Sequence, residues 1–99
     1  MTTLHILSHS PFTDSRMDSC LQIMGSEDGL LLCGDAVHAL QLGSIGWPPL
    51  QALAHAGRLY ALDEDITARA IHVAGQVIRI DYPAFVQLSI DFDKVNTWL

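Results

Sequence analysis

The stretch LLLCGDAVHAL, residues 30–40, contains the strongest indication of the fold. It begins with three leucines and a cysteine, an unbroken apolar run typical of a strand that is buried on both faces. The run stops at Gly34-Asp35, and the following AVHAL predicts a short helical turn that Asp35 could cap. A buried strand followed at once by a helical segment is typical of α/β proteins, in which helices cover both faces of a parallel sheet.

The same order of strand and helix occurs four times along the chain. Strands are predicted at residues 3–8, 30–33, 58–62 and 76–80. Helical segments are predicted from Asp14 or Ser15 to about residue 24, and at 36–40, 47–57, 63–71 and 81–92. The remaining residues, DKVNTWL, are expected to form an apolar terminus at Trp98 and Leu99. The sequence therefore predicts one α/β domain over residues 1–99, three layers (α/β/α) around a small, mainly parallel sheet of four to five strands.

The composition indicates a partner. Of 99 residues, 49% are apolar and only 16% are charged, against a usual charged share of about 25%. A small domain has a large surface for its volume and should carry more charge than average, not less. We therefore expect part of the surface to be covered by another protein.

Charge and hydropathy argue against nucleic acid and a lipid bilayer as direct partners. The formal net charge is −6, and the five basic residues are scattered, so direct binding of nucleic acid is disfavoured. No apolar run approaches the roughly 20 residues of a membrane span. The first ten residues lack the basic region and cleavage motif of a secretory signal, so a cytoplasmic protein with two free thiols is expected.

Neither cysteine has the surroundings of a reactive thiol. Cys33 ends a predicted strand, where helix-terminal amides could lower the pKa of its thiol, but no Lys or Arg adjoins it and Asp35 opposes a thiolate. A small apolar side chain that completes a buried strand is the favoured interpretation. Cys20 lies in the second half of the first helix between Met17 and Met24, which favours packing.

No complete catalytic or cofactor motif is present. His5 and His9 are too far apart on a strand to form a ligand pair, although a zinc site that combines both cysteines with a histidine stays open. The acids of LDEDITAR suit the start of a helix. Phosphate-loop, dinucleotide and nucleophile-elbow patterns are absent, so no metal or cofactor is expected. A stand-alone ligand-binding domain with residues 41–46 as a lid is an alternative that lacks any cofactor motif.

Several segments, in order, resemble the TusB/DsrH family. They are LHILSHSPF at the start, GDAVHAL after the second strand, YALDEDITARAI in the middle and IDYPAFVQLSIDFDKVNTWL at the end. The most specific parts are the opening LH…SPF, the L-x-E-D-x-x-A-R pattern at 62–69 and the DY-x-x-F-V-x-L pattern at 81–88. The resemblance runs nearly from end to end.

This resemblance implies a subunit rather than an independent enzyme. TusB-like proteins assemble with TusC- and TusD-like (DsrF- and DsrE-like) subunits in a heterohexamer that holds two copies of each. That complex relays persulfide sulfur from TusA to TusE, toward 2-thiolation of the wobble uridine of certain tRNAs, and its relay cysteine belongs to the TusD-type subunit. The resemblance thus implies a mainly structural role with little or no activity in the isolated chain.

The DsrH branch of the family implies an alternative. DsrH-like subunits of sulfur-oxidising bacteria carry a cysteine in the first helix, and Cys20 falls at that place, so Cys20 is the candidate sulfur carrier. Many TusB-type members have an aliphatic residue there. Phe85, Phe92, Trp98 and Leu99 are candidate contact residues for a partner, although the same side chains could close the core of the domain itself.

Overall fold

Five parallel strands form one sheet, in the order β4-β3-β2-β1-β5, in the computed structural model of the chain. The strands are β1 (Thr3–Leu7), β2 (Gly29–Leu32), β3 (Leu59–Leu62), β4 (Ile78–Ile80) and β5 (Lys94–Trp98). The structure describes residues 2–10, 12, 15–41, 43, 47–73 and 76–98. The parallel sheet and its flanking helices confirm the predicted α/β architecture.

Among the described residues, four α-helices connect the strands, close to where the sequence predicts them. They are α1 (Arg16–Ile23), α2 (Gln51–His55), α3 (Asp63–Ala68) and α4 (Tyr82–Asp91), with 3-10 helices at Gly34–Leu40 and Pro48–Leu50. The side chain of Ser15 makes no capping hydrogen bond to α1, and Asp14 lies outside the described residues. Asp35 is in the first turn of its 3-10 helix and does not cap it, because Cys33 occupies the N-cap position.

The helices are divided unequally between the two faces of the sheet. One face, which we name the three-helix face, packs against side chains of α1, α2 and α3. Its buried cluster includes Leu7, Leu30, Leu32, Leu59 and Ala61 from the strands and Met17, Cys20, Leu53, Ala54 and Ile66 from the helices. The opposite face, which we name the α4 face, buries Leu4, Ile6 and Leu31 beneath Phe85, Leu88 and Phe92.

Strand order explains this unequal division. The chain moves in one direction across the sheet from β1 to β4, and then returns to place β5 on the free side of β1. Because crossovers between parallel strands are right-handed, a reversal of direction puts the next helix on the opposite face. The first three connections therefore lie on one face, and α4 lies alone on the other.

The fifth strand lies in the segment for which the sequence predicts only an apolar terminus, and it brings the sheet to the upper end of the predicted four to five strands. Residues 94–98 pair with β1 in parallel, with Leu4 opposite Val95 and Leu7 opposite Trp98. Residues 94–97 are exposed, as is usual for an edge strand, so they lack the continuous apolar run that marks the central strands. The sequence KVNTW shows no apolar pattern typical of a strand, because β5 is held mainly by backbone hydrogen bonds to β1.

Gly29 allows α4 to pack closely on the sheet. A Cβ atom at Gly29 would lie 2.6 Å from Cζ of Phe92 and 3.3 Å from Cε2 of Tyr60. We expect Gly29→Ala to lower the free energy of unfolding by about 1–3 kcal/mol, the usual cost of an extra methyl group in a packed core. Urea denaturation monitored by circular dichroism measures this loss.

Two further variants test whether the ring of Phe92 is the obstacle. Gly25→Ala is the matched control, because a Cβ there meets only the side chain of Asp28, at an ordinary contact distance of 3.4 Å. In the double variant Gly29→Ala with Phe92→Leu, the two substitutions should cost less than the sum of their separate effects. Unchanged stability of Gly29→Ala would contradict the packing described here.

Candidate functional site

A histidine, a carboxylate and an indole meet on the three-helix face, a grouping that the sequence does not predict. His5 is 4% exposed and lies on β1, with its Nε2 atom 3.4 Å from Oδ2 of Asp28. The indole Nε1 of Trp98 donates to Nδ1 of His5 over 3.2 Å. Because an indole N–H can only donate, Nδ1 accepts, and the proton of the neutral ring lies on Nε2, toward Asp28.

Asp28 connects the start of the sheet to the loop before β2. Its carboxylate accepts hydrogen bonds from the backbone N–H of Gly25, at 2.8 Å, and of Thr3, at 3.0 Å. Burial by itself raises the pKa of the Asp28 carboxyl, but these two bonds and the contact with His5 together lower the pKa below its usual value. The guanidinium of Arg58 also donates to the carbonyls of Gly25 and Asp28, so the loop is held from both sides.

Cys20 lies within the core and has no access to solvent. Its relative exposure is 0%, and it packs with Met17 among the residues between α1 and the sheet. Burial, followed by the nearby charge of Asp28, raises the pKa of the Cys20 thiol to about 12. In this conformation the thiol is protonated and shielded, and a role as sulfur carrier stays a prediction.

Cys33 follows β2 at the carboxyl edge of the sheet and is half-buried. Its Sγ donates to the carbonyl of Leu7 at 3.5 Å. Burial and then the charge of Asp65 raise the pKa of the Cys33 thiol, and the nearby Arg69 offsets this rise only in part.

Cys33 packs against the cluster of the α4 face, whereas Cys20 belongs to the three-helix face. The sheet separates the two thiols, so they do not form one zinc site.

The L-x-E-D-x-x-A-R segment forms a polar clamp over the turn after β2. Asp65 accepts a hydrogen bond from the backbone N–H of Gly34 at 2.8 Å. Arg69 pairs with Asp35 at 3.0 Å and with Asp65 at 3.6 Å. Gly34 has a φ of +51°, a conformation that favours glycine. These contacts give the segment a structural function, because they hold the turn at Gly34 against α3.

The candidate contact residues do not form one surface. Phe85 and Phe92 are half-buried and pack on the sheet from α4, and Trp98 packs at the edge of the core on the three-helix face. Leu99 lies outside the described residues. The exposed apolar residues of α4 are instead Tyr82, Val86 and Ile90. Whether the four candidate residues contact a partner stays a prediction.

An open depression lies between the end of α1 and the start of α2. Its lining residues are Leu21, Met24, Gly25, Ser26, Pro49, Leu53 and Arg58. The guanidinium of Arg58 already donates to two backbone carbonyls, so the depression offers no evident charged anchor for a ligand. Of the proposed lid at 41–46, residues 42 and 44–46 lie outside the described residues.

Within the described ranges, none of the helices has the length and apolar character to cross a bilayer.

Sequence reasoning missed the group formed by His5, Asp28 and Trp98. The available signal was a histidine inside an apolar strand, since a buried ring nitrogen needs a hydrogen-bond partner. The identity of the partners could not be inferred, because Trp98 is separated from His5 by 93 positions.

The lowered pKa of Asp28 predicts a pH-dependent contribution to stability. A carboxyl whose pKa is lower in the folded state stabilises the fold above its unfolded pKa of about 3.9, and this contribution is lost as the pH falls through the folded value. We expect Asp28→Asn to lower the free energy of unfolding at pH 7 by about 1.5–3 kcal/mol, the range for hydrogen bonds to charged groups. The deficit relative to wild type should shrink below pH 4.

Urea denaturation between pH 3 and pH 7 measures this deficit. Glu27→Gln is the matched control, because Glu27 is the exposed neighbouring acid and its variant should follow the wild-type curve. A deficit of Asp28→Asn that is constant over the whole pH range would contradict the role assigned to the ionised carboxylate.

Comparisons with known proteins agree with the fold and with the residue patterns. The family model described as "DsrH like protein" matches residues 9–95. Protein TusB of Escherichia coli (strain SMS-3-5 / SECEC) is 34% identical over 98 residues, which cover 96% of this chain and 99% of that protein. Protein TusB of Shigella boydii serotype 18 is 33% identical over the same length and shares. The crystal structure of the ychN protein from E. coli superposes with a TM-score of 0.80 at 18% identity, covering 99% of this chain and 100% of that one, and shows the same fold. The chain therefore belongs to the TusB/DsrH family.

Proposed function

We propose that this protein is a structural subunit of a cytoplasmic sulfur-relay complex. In this proposal it binds TusC- and TusD-like subunits in a heterohexamer that passes persulfide sulfur toward 2-thiolation of the tRNA wobble uridine. The observation that carries the proposal is similarity to TusB proteins over 96% of the chain. A partner subunit then supplies the reactive cysteine, and this chain supplies part of the scaffold.

The state of the two thiols supports a scaffold role. A persulfide relay needs an accessible thiolate that attacks a sulfane sulfur. Burial raises the pKa of both Cys20 and Cys33, and neither has a basic side chain that outweighs this effect. These surroundings support a structural role for both thiols in the isolated chain.

Co-expression tests assembly directly. When the chain is produced with TusC- and TusD-like subunits of the same genome, we expect all three to elute from size exclusion as one particle with equal amounts of each. Light scattering should give the mass of two copies of each subunit. Omission of this chain should leave a smaller particle. A chain that elutes alone in the presence of both partners would contradict the proposal.

The alternative function is a DsrH-type subunit of a sulfur-oxidation relay in which Cys20 itself carries persulfide. The position of Cys20 in the first helix favours this alternative. Because Cys20 has no solvent exposure, the alternative requires α1 to move away from the sheet before a sulfur donor can reach the thiol. The loop after α1 opposes such movement, since Asp28 and Arg58 hold Gly25 from two sides.

Mass spectrometry after incubation with a persulfide donor separates the two functions. We expect the isolated wild-type protein to gain no sulfur atom, because both thiols are held protonated. In iodoacetamide at pH 8, Cys33 should react before Cys20, since Cys33 is half-exposed, and both should react faster in urea.

Cys20→Ser and Cys33→Ser form the matched pair of variants for this experiment. A sulfur atom gained by the wild type and by Cys33→Ser, but not by Cys20→Ser, would favour the alternative. Equal labelling of the two cysteines in the native protein would contradict the burial of Cys20.

A further inference from the structure

The α4 face of the sheet is incompletely covered. The centres of five strands span roughly 19 Å, whereas one helix with its side chains is about 10–12 Å wide. Ile78 on β4 and Val95 on β5 share this face with Tyr60 and Leu4, their partners in register, and both are exposed. Parallel sheets are normally covered on both faces, so this face lacks part of its covering layer in the described chain.

The outer side of α4 continues this apolar surface. Tyr82, Val86 and Ile90 recur at every fourth residue, which places them in one stripe along the helix. They are 53%, 59% and 70% exposed, respectively. Phe85 and Leu88 pack on the sheet from the same helix, so the stripe lies away from the core. We name Tyr82, Val86 and Ile90 the α4 stripe.

Carboxylates border both ends of the α4 stripe. Asp81 caps the start of α4, Asp91 is its last residue, and Asp93 follows just beyond. The helix contains no basic residue. A carboxylate at the C-terminal end of a helix is disfavoured by the helix dipole. Asp91 accepts a hydrogen bond from Nε2 of Gln87 at 2.9 Å, but no positive charge on the helix offsets its own. Lys94 does not offset these charges on the α4 face, because it is in register with Thr3 on the other face.

These charges disfavour a second copy of the chain as the occupant of the stripe. An antiparallel pair of α4 helices with Val86 at the two-fold axis brings Asp81 of one copy toward Asp91 of the other. A parallel pair brings Asp91 toward Asp91. Both arrangements place like charges together, which is unfavourable where water is excluded.

We propose that the α4 stripe is the docking surface for a different subunit, which presents an apolar surface bordered by Lys or Arg side chains to Asp91 and Asp93. The inference rests on the proposed function, because it names the surface through which this chain joins its complex. Apolar burial supplies affinity, and the basic border supplies selectivity against self-association.

The apolar part of the proposal is tested in the complex with TusC- and TusD-like subunits. Val86→Gln with Ile90→Gln removes most of the stripe, and both side chains are exposed, so the isolated chain should keep its stability. We expect the affinity for the partner subunits, measured by calorimetry, to fall roughly tenfold or more. Ile23→Gln is the matched control, since Ile23 is 61% exposed on α1 over the three-helix face, and it should not weaken binding.

The charge is tested by Asp91→Asn. This variant should weaken the complex and reduce its sensitivity to salt, while the isolated chain is at least as stable as wild type. Glu64→Gln is the matched control, because Glu64 is an exposed acid on α3, and it should change neither property. Unchanged binding and salt sensitivity in Asp91→Asn would overturn the basic border of the partner.

The outcomes separate the docking surface from the proposed function. If the wild type and the stripe variants bind the partner subunits equally, the docking surface is wrong and the subunit role stands. If the wild type itself does not bind, the subunit role fails, and the docking surface fails with it. If the isolated chain forms a dimer in analytical ultracentrifugation and the stripe variants abolish it, the occupant is a second copy and the proposal is overturned.

Discussion

The return of the chain from β4 to the free side of β1 determines the rest of the structure. Right-handed crossovers put the first three connections on one face, and this single reversal puts α4 alone on the other. As a consequence, the two faces of the sheet bury different amounts of apolar side chain. The cluster beneath α1, α2 and α3 is large, which we call the deep cluster, and the cluster beneath α4 is small, which we call the thin side. On the α4 face, Ile78 and Val95 at the two edges of the sheet are exposed, which motivates the proposed docking surface there.

The same asymmetry gives the two thiols different environments. Cys20 is enclosed in the deep cluster, where burial and the charge of Asp28 keep it protonated. Cys33 lies at the carboxyl edge on the thin side, next to the clamp formed by Asp65 and Arg69. Chemistry in α/β proteins commonly occurs at this edge. Here Asp65 stabilises the turn and at the same time raises the pKa of the Cys33 thiol.

The sequence predicts the central strands because they are buried on both faces and therefore read as apolar runs, as in residues 30–33. It predicts the packing of Cys20 because Met17 and Met24 repeat on its side of the helix. It does not predict β5, since an edge strand is stabilised by backbone pairing that leaves no apolar pattern. The contacts of His5 with Asp28 and Trp98 are equally hidden, because they join residues far apart in the chain. The low charged fraction and the family resemblance, rather than periodicity, predict a role in an assembly.

The edge strand β5 has few buried side chains, yet hydrogen bonds hold it at both ends. At its start, Asp93 accepts from the backbone N–H of Thr2 at 2.9 Å, and Lys94 donates its backbone N–H to the carbonyl of Thr2 at 3.1 Å. At its end, the indole of Trp98 donates to His5, whose ring contacts Asp28. These hydrogen bonds keep β5 in register with β1, although burial of its side chains contributes little to its stability. Because hydrogen bonds already order this strand, a partner that docked on the α4 face would lose less free energy in ordering the sheet edge.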